Sequence, residues 1–152
     1  VQGQLRIGRD VVGPALPQKG ADLVVAMERS EGYKGIKYVH EGTDFLLYDD
    51  AWYTNAVIMG KDKYPELADV SAAIKAAGAK LIVLTKESLP VVNGVPVYAN
   101  MFIMGSLLAN TGLKEFFTYD DIVKAVKELF SKGGEANLVA LKAGYEAKTT
   151  VL

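Results

Sequence analysis

The chain has 152 residues, a length suited to one core-bearing domain, and half of them are apolar without any run long enough to cross a bilayer. Seventeen lysines and arginines oppose eighteen aspartates and glutamates, so a net charge of -1 offers no basic surface for nucleic acid. There is no cysteine and one histidine, His40, which excludes disulfides, thiolate nucleophiles and cysteine-held iron–sulfur clusters on this chain. The expectation is a soluble, cytoplasmic chain forming a single domain over residues 1–152, with any redox centre carried elsewhere.

Residues 4–7 alternate polar and apolar and predict a first short strand. Residues 22–27, 44–48 and 80–85 are apolar runs bounded by Gly, Asp or Lys, the pattern of strands buried on both faces of a parallel sheet. Between them, residues 30–39 and 69–77 carry moderately amphipathic helical spacing, and Gly78 closes the second as a helix C-terminus. Asn93-Gly94, between Val91-Val92 and residues 95–97, predicts a two-residue hairpin that Pro90 and Pro96 confine to an edge.

Asn100 stands where it can cap a very apolar helix over residues 100–110, with Met101, Phe102, Ile103, Met104, Leu107 and Leu108 inside it and Thr111-Gly112 ending it. That helix is expected to be nearly fully buried. Thr118 and Asp121 have capping-box spacing before a helix over residues 119–131, in which Ile122, Val123, Val126, Leu129 and Phe130 recur at helical intervals. Lys132-Gly133-Gly134 breaks it, and Asn137 is expected to cap a last helix through residue 145 that buries Leu138, Leu141 and Tyr145. Buried strands alternating with helices give the α/β class: a three-layer α/β/α, mostly parallel, Rossmann-like domain.

Ligands of open α/β sheets bind beyond the carboxyl ends of the strands, so the residues there are the first candidates. Asp49 and Asp50 follow the run at residues 44–48. They form either an acid–base pair or, the preferred reading, a turn whose adjacent carboxylates point apart. Glu28, followed by Arg29, holds the equivalent place after residues 25–27, as a ligand or partner contact or as a carboxylate favoured at a helix start. Trp52 and Tyr53 put two aromatics in the following loop, a composition found at protein interfaces, with core packing of Trp52 equally open.

Asn100 and its helix N-terminus are expected at the same edge. His40 and Glu41 diverge and lack further ligands, so they predict a solvated loop and no metal site. Neither GxGxxG nor GxxxxGK[ST] follows an expected strand. No catalytic residue is assigned. Glu28, Asp49, Asp50, Trp52, Tyr53 and Asn100 are candidates for a substrate- or partner-facing edge.

Several longer segments carry a resemblance. They begin with Leu5-Arg6-Ile7-Gly8, Pro14, Leu16-Pro17 and Gly20-Ala21-Asp22 leading into residues 23–27, then Glu28 and Tyr38. More specific are Ala99-Asn100-Met101 through Met104-Gly105 to Thr111-Gly112-Leu113, the helix over residues 119–130, and Asn137-Leu138 running to Ala143-Gly144-Tyr145. In this order they resemble the gamma-type subunit of 2-oxoacid:ferredoxin oxidoreductases, most closely the indolepyruvate branch. Members of that family open with a strand, a Gly-Gly-Gln-Gly type loop and a first helix. The expectation is therefore a domain with that N-terminal strand–loop–helix missing and a neighbouring strand edge left for another chain to cover.

The resemblance implies a complex that decarboxylates a 2-oxoacid on thiamine diphosphate, passes electrons through iron–sulfur clusters to ferredoxin and releases an acyl-CoA. It implies that this chain is a subunit without those cofactors and inactive alone. Its partners would be the thiamine-binding and iron–sulfur subunits, with ferredoxin reached indirectly and a homodimer also open. The equivalent domain of related single-chain enzymes is implicated in receiving CoA and covering the active site. The alternatives are a stand-alone α/β nucleotide- or small-acid-binding module and an independent hydrolase or dehydrogenase. The second lacks any nucleophile–base set or dinucleotide loop.

Overall fold

A computed structural model describes residues 2–8, 10, 13–130, 132, 134–147 and 149–151. Its main sheet has the order β1-β2-β3-β6, where β1 is Ala21–Ala26, β2 is Val39–Asp49, β3 is Lys80–Thr85 and β6 is Thr150–Val151. The first three strands are parallel, with Val24 opposite Phe45 and Leu46 opposite Ile82, and β6 closes the far side antiparallel to β3. The predicted strand at residues 44–48 is the regular part of β2. Its longer start is irregular: Ala21 pairs with Val39 but Leu23 pairs with Asp44. Buried Thr43 holds this start by donating to the Ala21 carbonyl at 2.7 Å and accepting from the His40 N–H at 3.0 Å.

Side chains alternate across β2, and each face has its own core. Phe45 and Leu47 pack with Ala26, Val39 and Leu81 against Val70 and Ile74 of a helix over Leu67–Ala76. Leu46 and Tyr48 pack with Ile82 and Leu84 against Phe102, Ile103 and Leu107 of a helix over Ala99–Asn110. Taken in chain order, the helices are α1 (Arg29–Gly35), α2 (Asn55–Ile58), α3 (Leu67–Ala76), α4 (Ala99–Asn110), α5 (Tyr119–Leu129) and α6 (Gly134–Glu146). With α1 and α3 on one face and α4 and α6 on the other, the fold is the expected three-layer α/β arrangement. None of the helices is long and apolar enough to cross a membrane.

The α4–α6 contact sets how closely the second layer packs. A Cβ on Gly105 would run into the Leu141 carbonyl, and one on Gly144 into the Phe102 carbonyl, so the two backbones touch directly. Glycine is required at both positions for this approach. α4 is therefore enclosed between the sheet and α6. Phe102, Ile103, Leu107 and Leu108 are buried as expected, while Met101 and Met104 are half-buried.

The hairpin pairs β4 (Val91–Val92) with β5 (Val95–Pro96) through Asn93 and Gly94, whose φ angles of 52° and 79° suit a two-residue turn with both central residues left-handed. α5 begins in the expected capping box of Thr118 and Asp121. It ends at Leu129, and the expected end at Ser131 lies outside the described residues.

Several expectations are corrected. The run at residues 22–27 is not buried on both faces: β1 is the edge strand of the sheet, and Val25 and Met27 are exposed. Residues 4–7 form no strand. The Gln2 and Gln4 amides donate to the Tyr38 hydroxyl, the Gln4 carbonyl oxygen accepts from the Leu16 N–H, and Leu5 stays exposed. Side-chain bonds take the place of a ladder there. The helix expected over residues 30–39 stops at Gly35, continues as a 3-10 turn over Ile36–Tyr38, and gives way to β2 at Val39, whose burial against the sheet outweighs continuation of the helix. Asn100 does not cap α4: the helix starts at Ala99 with Tyr98 in the cap position, and the Asn100 carbonyl oxygen accepts only from the adjacent Met101 N–H at 2.9 Å. Asn137 likewise lies within α6, which begins at Gly134, and Tyr145 is exposed while Leu141 is buried.

Candidate functional site

The carboxyl ends of β1 and β2 bring most of the candidate residues into one polar cluster. Leu47 and Asp49 share the face covered by α1 and α3, whereas Tyr48 and Asp50 share the face covered by α4, so the two aspartates do point apart. Asp49 accepts from the Arg29 guanidinium at 2.5 Å, with both side chains largely out of solvent. That contact, ahead of burial, raises the affinity of Arg29 for its proton. Asp50 turns the other way, its carboxylate 3.8 Å from the Lys86 ammonium and also accepting from the Ala51 N–H at 2.8 Å. An acid–base pair is thereby excluded, and the turn reading holds.

Glu28 caps α1. Its carboxylate accepts from the Ser30 and Glu31 backbone N–H groups and from the Ser30 hydroxyl, which joins helix start and strand end in one turn. The Tyr64 hydroxyl donates to the same carboxylate. Burial alone would raise the Glu28 carboxyl, but the bonds from Ser30, Tyr64 and the backbone together bring it below its ordinary range. Burial first, and then the Glu28 carboxylate, push the Tyr64 phenol upward, so it stays a neutral donor.

Tyr64 also receives the Trp52 N–H at 3.2 Å, and its ring meets the Tyr53 ring edge-on at 4.9 Å. Trp52 itself is 79% exposed and Tyr53 55%, so neither packs in the core. Beneath this loop, Ser30, Tyr33, Thr54, Val57 and Tyr64 line a cavity of ≈ 340 Å³.

Asn100 shares the edge without joining the cluster. The Gly112 N–H, just past the end of α4, donates to Asp44 at the opposite end of the sheet at 2.8 Å, so α4 runs antiparallel to the strands and starts above their carboxyl ends. There Val97 packs with Tyr48 and Leu84. Burial, reinforced by the charges of Asp50 and Glu87, pushes the Tyr48 phenol up to about 12. His40 lies in the irregular start of β2, not a solvated loop: its ring bonds the Glu41 carbonyl at 2.8 Å, and its other nitrogen is 3.5 Å from Asp22.

Tyr64 and Ser30 complete this cluster but stood out in no sequence pattern. Ser30 is legible in retrospect as part of a capped helix start. Tyr64 lies far along a polar loop, and no spacing rule marks it. The carboxylates of Glu28, Asp49 and Asp50 are all engaged by cations, hydroxyls or N–H groups, and the Tyr64 phenol is held neutral.

The donor set does not suit a cysteine-held iron–sulfur cluster. The chain has no cysteine, and among the described residues no three of His, Cys, Asp and Glu converge on a cation site. No step through a metal or cluster is assigned to these residues.

Comparison with known proteins agrees with the fold. The chain is 28% identical over 146 residues to the indolepyruvate oxidoreductase subunit IorB of Archaeoglobus fulgidus, a match spanning 95% of this chain and 71% of that protein. It is 26% identical over 158 residues to the proteins of the same name from Pyrococcus horikoshii and Thermococcus kodakarensis, covering 97% of this chain and 73% of each. A family profile for pyruvate ferredoxin/flavodoxin oxidoreductase matches residues 1–147, nearly the whole chain, and the protein therefore belongs to that oxidoreductase family.

Proposed function

We propose that the chain is a cofactor-free subunit of a complex that oxidatively decarboxylates a 2-oxoacid to an acyl-CoA and delivers the electrons to ferredoxin. The observation that carries this reading is a family match over residues 1–147 in a chain that contains no cysteine. A redox family member without thiolates leaves its iron–sulfur clusters to partner chains, and thiamine diphosphate is proposed to lie there too because no diphosphate-binding motif follows a strand of this chain. The whole of residues 1–152 acts as one domain, and the edge bearing Glu28, Asp50, Trp52, Tyr53 and Asn100 faces the thiamine-binding partner in the cytoplasm. The names of its relatives make aryl 2-oxoacids such as indolepyruvate the first substrates to test.

The experiment is reconstitution. The thiamine-binding and iron–sulfur chains from the same host are assayed for CoA-dependent reduction of ferredoxin by indolepyruvate, pyruvate and branched 2-oxoacids, with and without this chain. Acyl-CoA formation that requires this chain supports the reading. The isolated chain should show no visible iron–sulfur absorption and no 2-oxoacid oxidation. Full activity without it, or failure to co-purify with a thiamine-binding chain, would overturn the proposal.

A further inference from the structure

Residues 51–66 link β2 to α3, and none of them is buried. Trp52, Ile58 and Met59 are 79%, 71% and 61% exposed, so apolar packing cannot hold this segment in one place. Its own bonds are short-range, such as the Thr54 cap on Val57 and the Lys63 N–H to Asp62. Among the described residues, the hydrogen bonds that tie its interior back to the sheet and α1 run through one atom, the Tyr64 hydroxyl. That oxygen donates to Glu28, accepts the Trp52 N–H at 3.2 Å and lies 3.4 Å from the Asp50 carbonyl.

We infer that Tyr64 is the positioning residue of this edge: it locks the loop to the cap of α1 and so presents Trp52 and Tyr53 in the one orientation that the partner chain binds. The inference rests on the proposal above that this edge faces a partner. A phenol bonded to a carboxylate is a strong anchor because the acceptor is charged. The carboxylate is itself immobilised, since the Ser30 and Glu31 N–H groups and the Ser30 hydroxyl occupy its other lone pairs. Rigidity passes in this way from the start of α1 through Glu28 and Tyr64 to Trp52. Preorganisation of an exposed aromatic lowers the ordering cost of binding, which is where a positioning residue exerts its effect. The ring contact with Tyr53 would survive loss of the hydroxyl, and the lock would not.

Trp52 is the sole tryptophan, so the protein carries its own probe. Three variants are compared with the parent chain: Tyr64→Phe, Glu28→Gln and Trp52→Ala. Tyr64→Phe should lower the fluorescence anisotropy of Trp52 in the isolated chain and weaken binding to the purified thiamine-binding subunit by about tenfold. The melting temperature should fall by no more than the loss of one bond to a charged acceptor explains, roughly a few degrees. Glu28→Gln should lower the anisotropy as well, and the double variant should bind no more weakly than Tyr64→Phe alone, because both act on one bond.

If Trp52→Ala binds as tightly as the parent, the edge is not the partner face, and the functional placement fails whatever Tyr64 does. If Trp52→Ala weakens binding while Tyr64→Phe changes neither anisotropy nor affinity, the placement stands and the positioning role is overturned. Should Tyr64→Phe lose stability as well as affinity, strict additivity with Glu28→Gln in binding would overturn the role too.

Discussion

Two regions of this molecule are held by opposite means. Where α4 meets α6, Gly105 and Gly144 let the backbones touch, and Phe102, Ile103 and Leu107 seal the contact onto the sheet. At the carboxyl ends of β1 and β2 the residues are half-buried or exposed, and position is set by hydrogen bonds among Glu28, Ser30, Asp49, Arg29 and Tyr64. The first region gains from excluding water and tolerates no added volume. The second leaves Trp52 and Tyr53 exposed and is held by single polar contacts, each worth less than the sealed core. On the partner-facing role proposed above for this edge, stability and recognition are weighted toward different parts of the chain, and substitutions should separate them.

The sharpest test is Gly144→Val. Its branched side chain would occupy the space of the Phe102 carbonyl, and backbone cannot yield as a flexible side chain can, so no soluble folded protein is expected. A soluble variant with native circular dichroism would show that the helices are not in backbone contact. Next in size is Leu107→Ala, a buried large-to-small change that should cost about 2–5 kcal/mol in urea denaturation.

Asp49→Lys crosses between the two regions. Asp49 is 14% exposed and holds Arg29, so reversal there should cost about 1.5–3 kcal/mol, the range for a lost bond to a charged group. Asp50→Lys alone, at a side chain 40% exposed and paired only at 3.8 Å, should leave the denaturation midpoint within about 0.5 kcal/mol of the parent.

Between these lies the helix cap. Glu28→Ala should cost about 1 kcal/mol. The carboxyl of Glu28 is lowered in the folded protein, so its contribution is complete above the unfolded value of 4.5 and is lost as pH falls through the lower folded value. The parent chain should lose stability over that acidic window, and Glu28→Gln should lose less of it. Equal acid sensitivity in the two proteins would mean that the cap carboxylate is not held as described. If Asp50→Lys proved as damaging as Leu107→Ala, the division between the regions would be wrong.

Much of this architecture was legible in the residues. Apolar runs at residues 22–27, 44–48 and 80–85 are short and bounded by Gly, Asp or Lys, which favours strands over helices, and the sheet contains all three, although only the second and third are covered on both faces while the first lies at the edge with Val25 exposed. Asn93-Gly94 and the Thr118–Asp121 box are local chemistry, complete within four residues, and both form as expected. The candidate edge was legible through the general position of strand ends, and Glu28 through its place before a helix.

What the residues could not decide was anything requiring a distant partner. Residues 4–7 alternate like a strand, but a strand needs a neighbour with free backbone groups, and here Tyr38 and Leu16 engage the two glutamines instead. Asn100 and Asn137 have the right side chain for a cap, yet the packing of Val97 and of α6 against α4 sets where those helices begin. Tyr64 matters only because the fold returns it to Glu28, thirty-six positions away. Local propensity is written in adjacent residues, whereas a hydrogen bond or a helix crossing between distant segments exists only once the chain has closed upon itself, and that closure alone made Tyr64 the centre of the site.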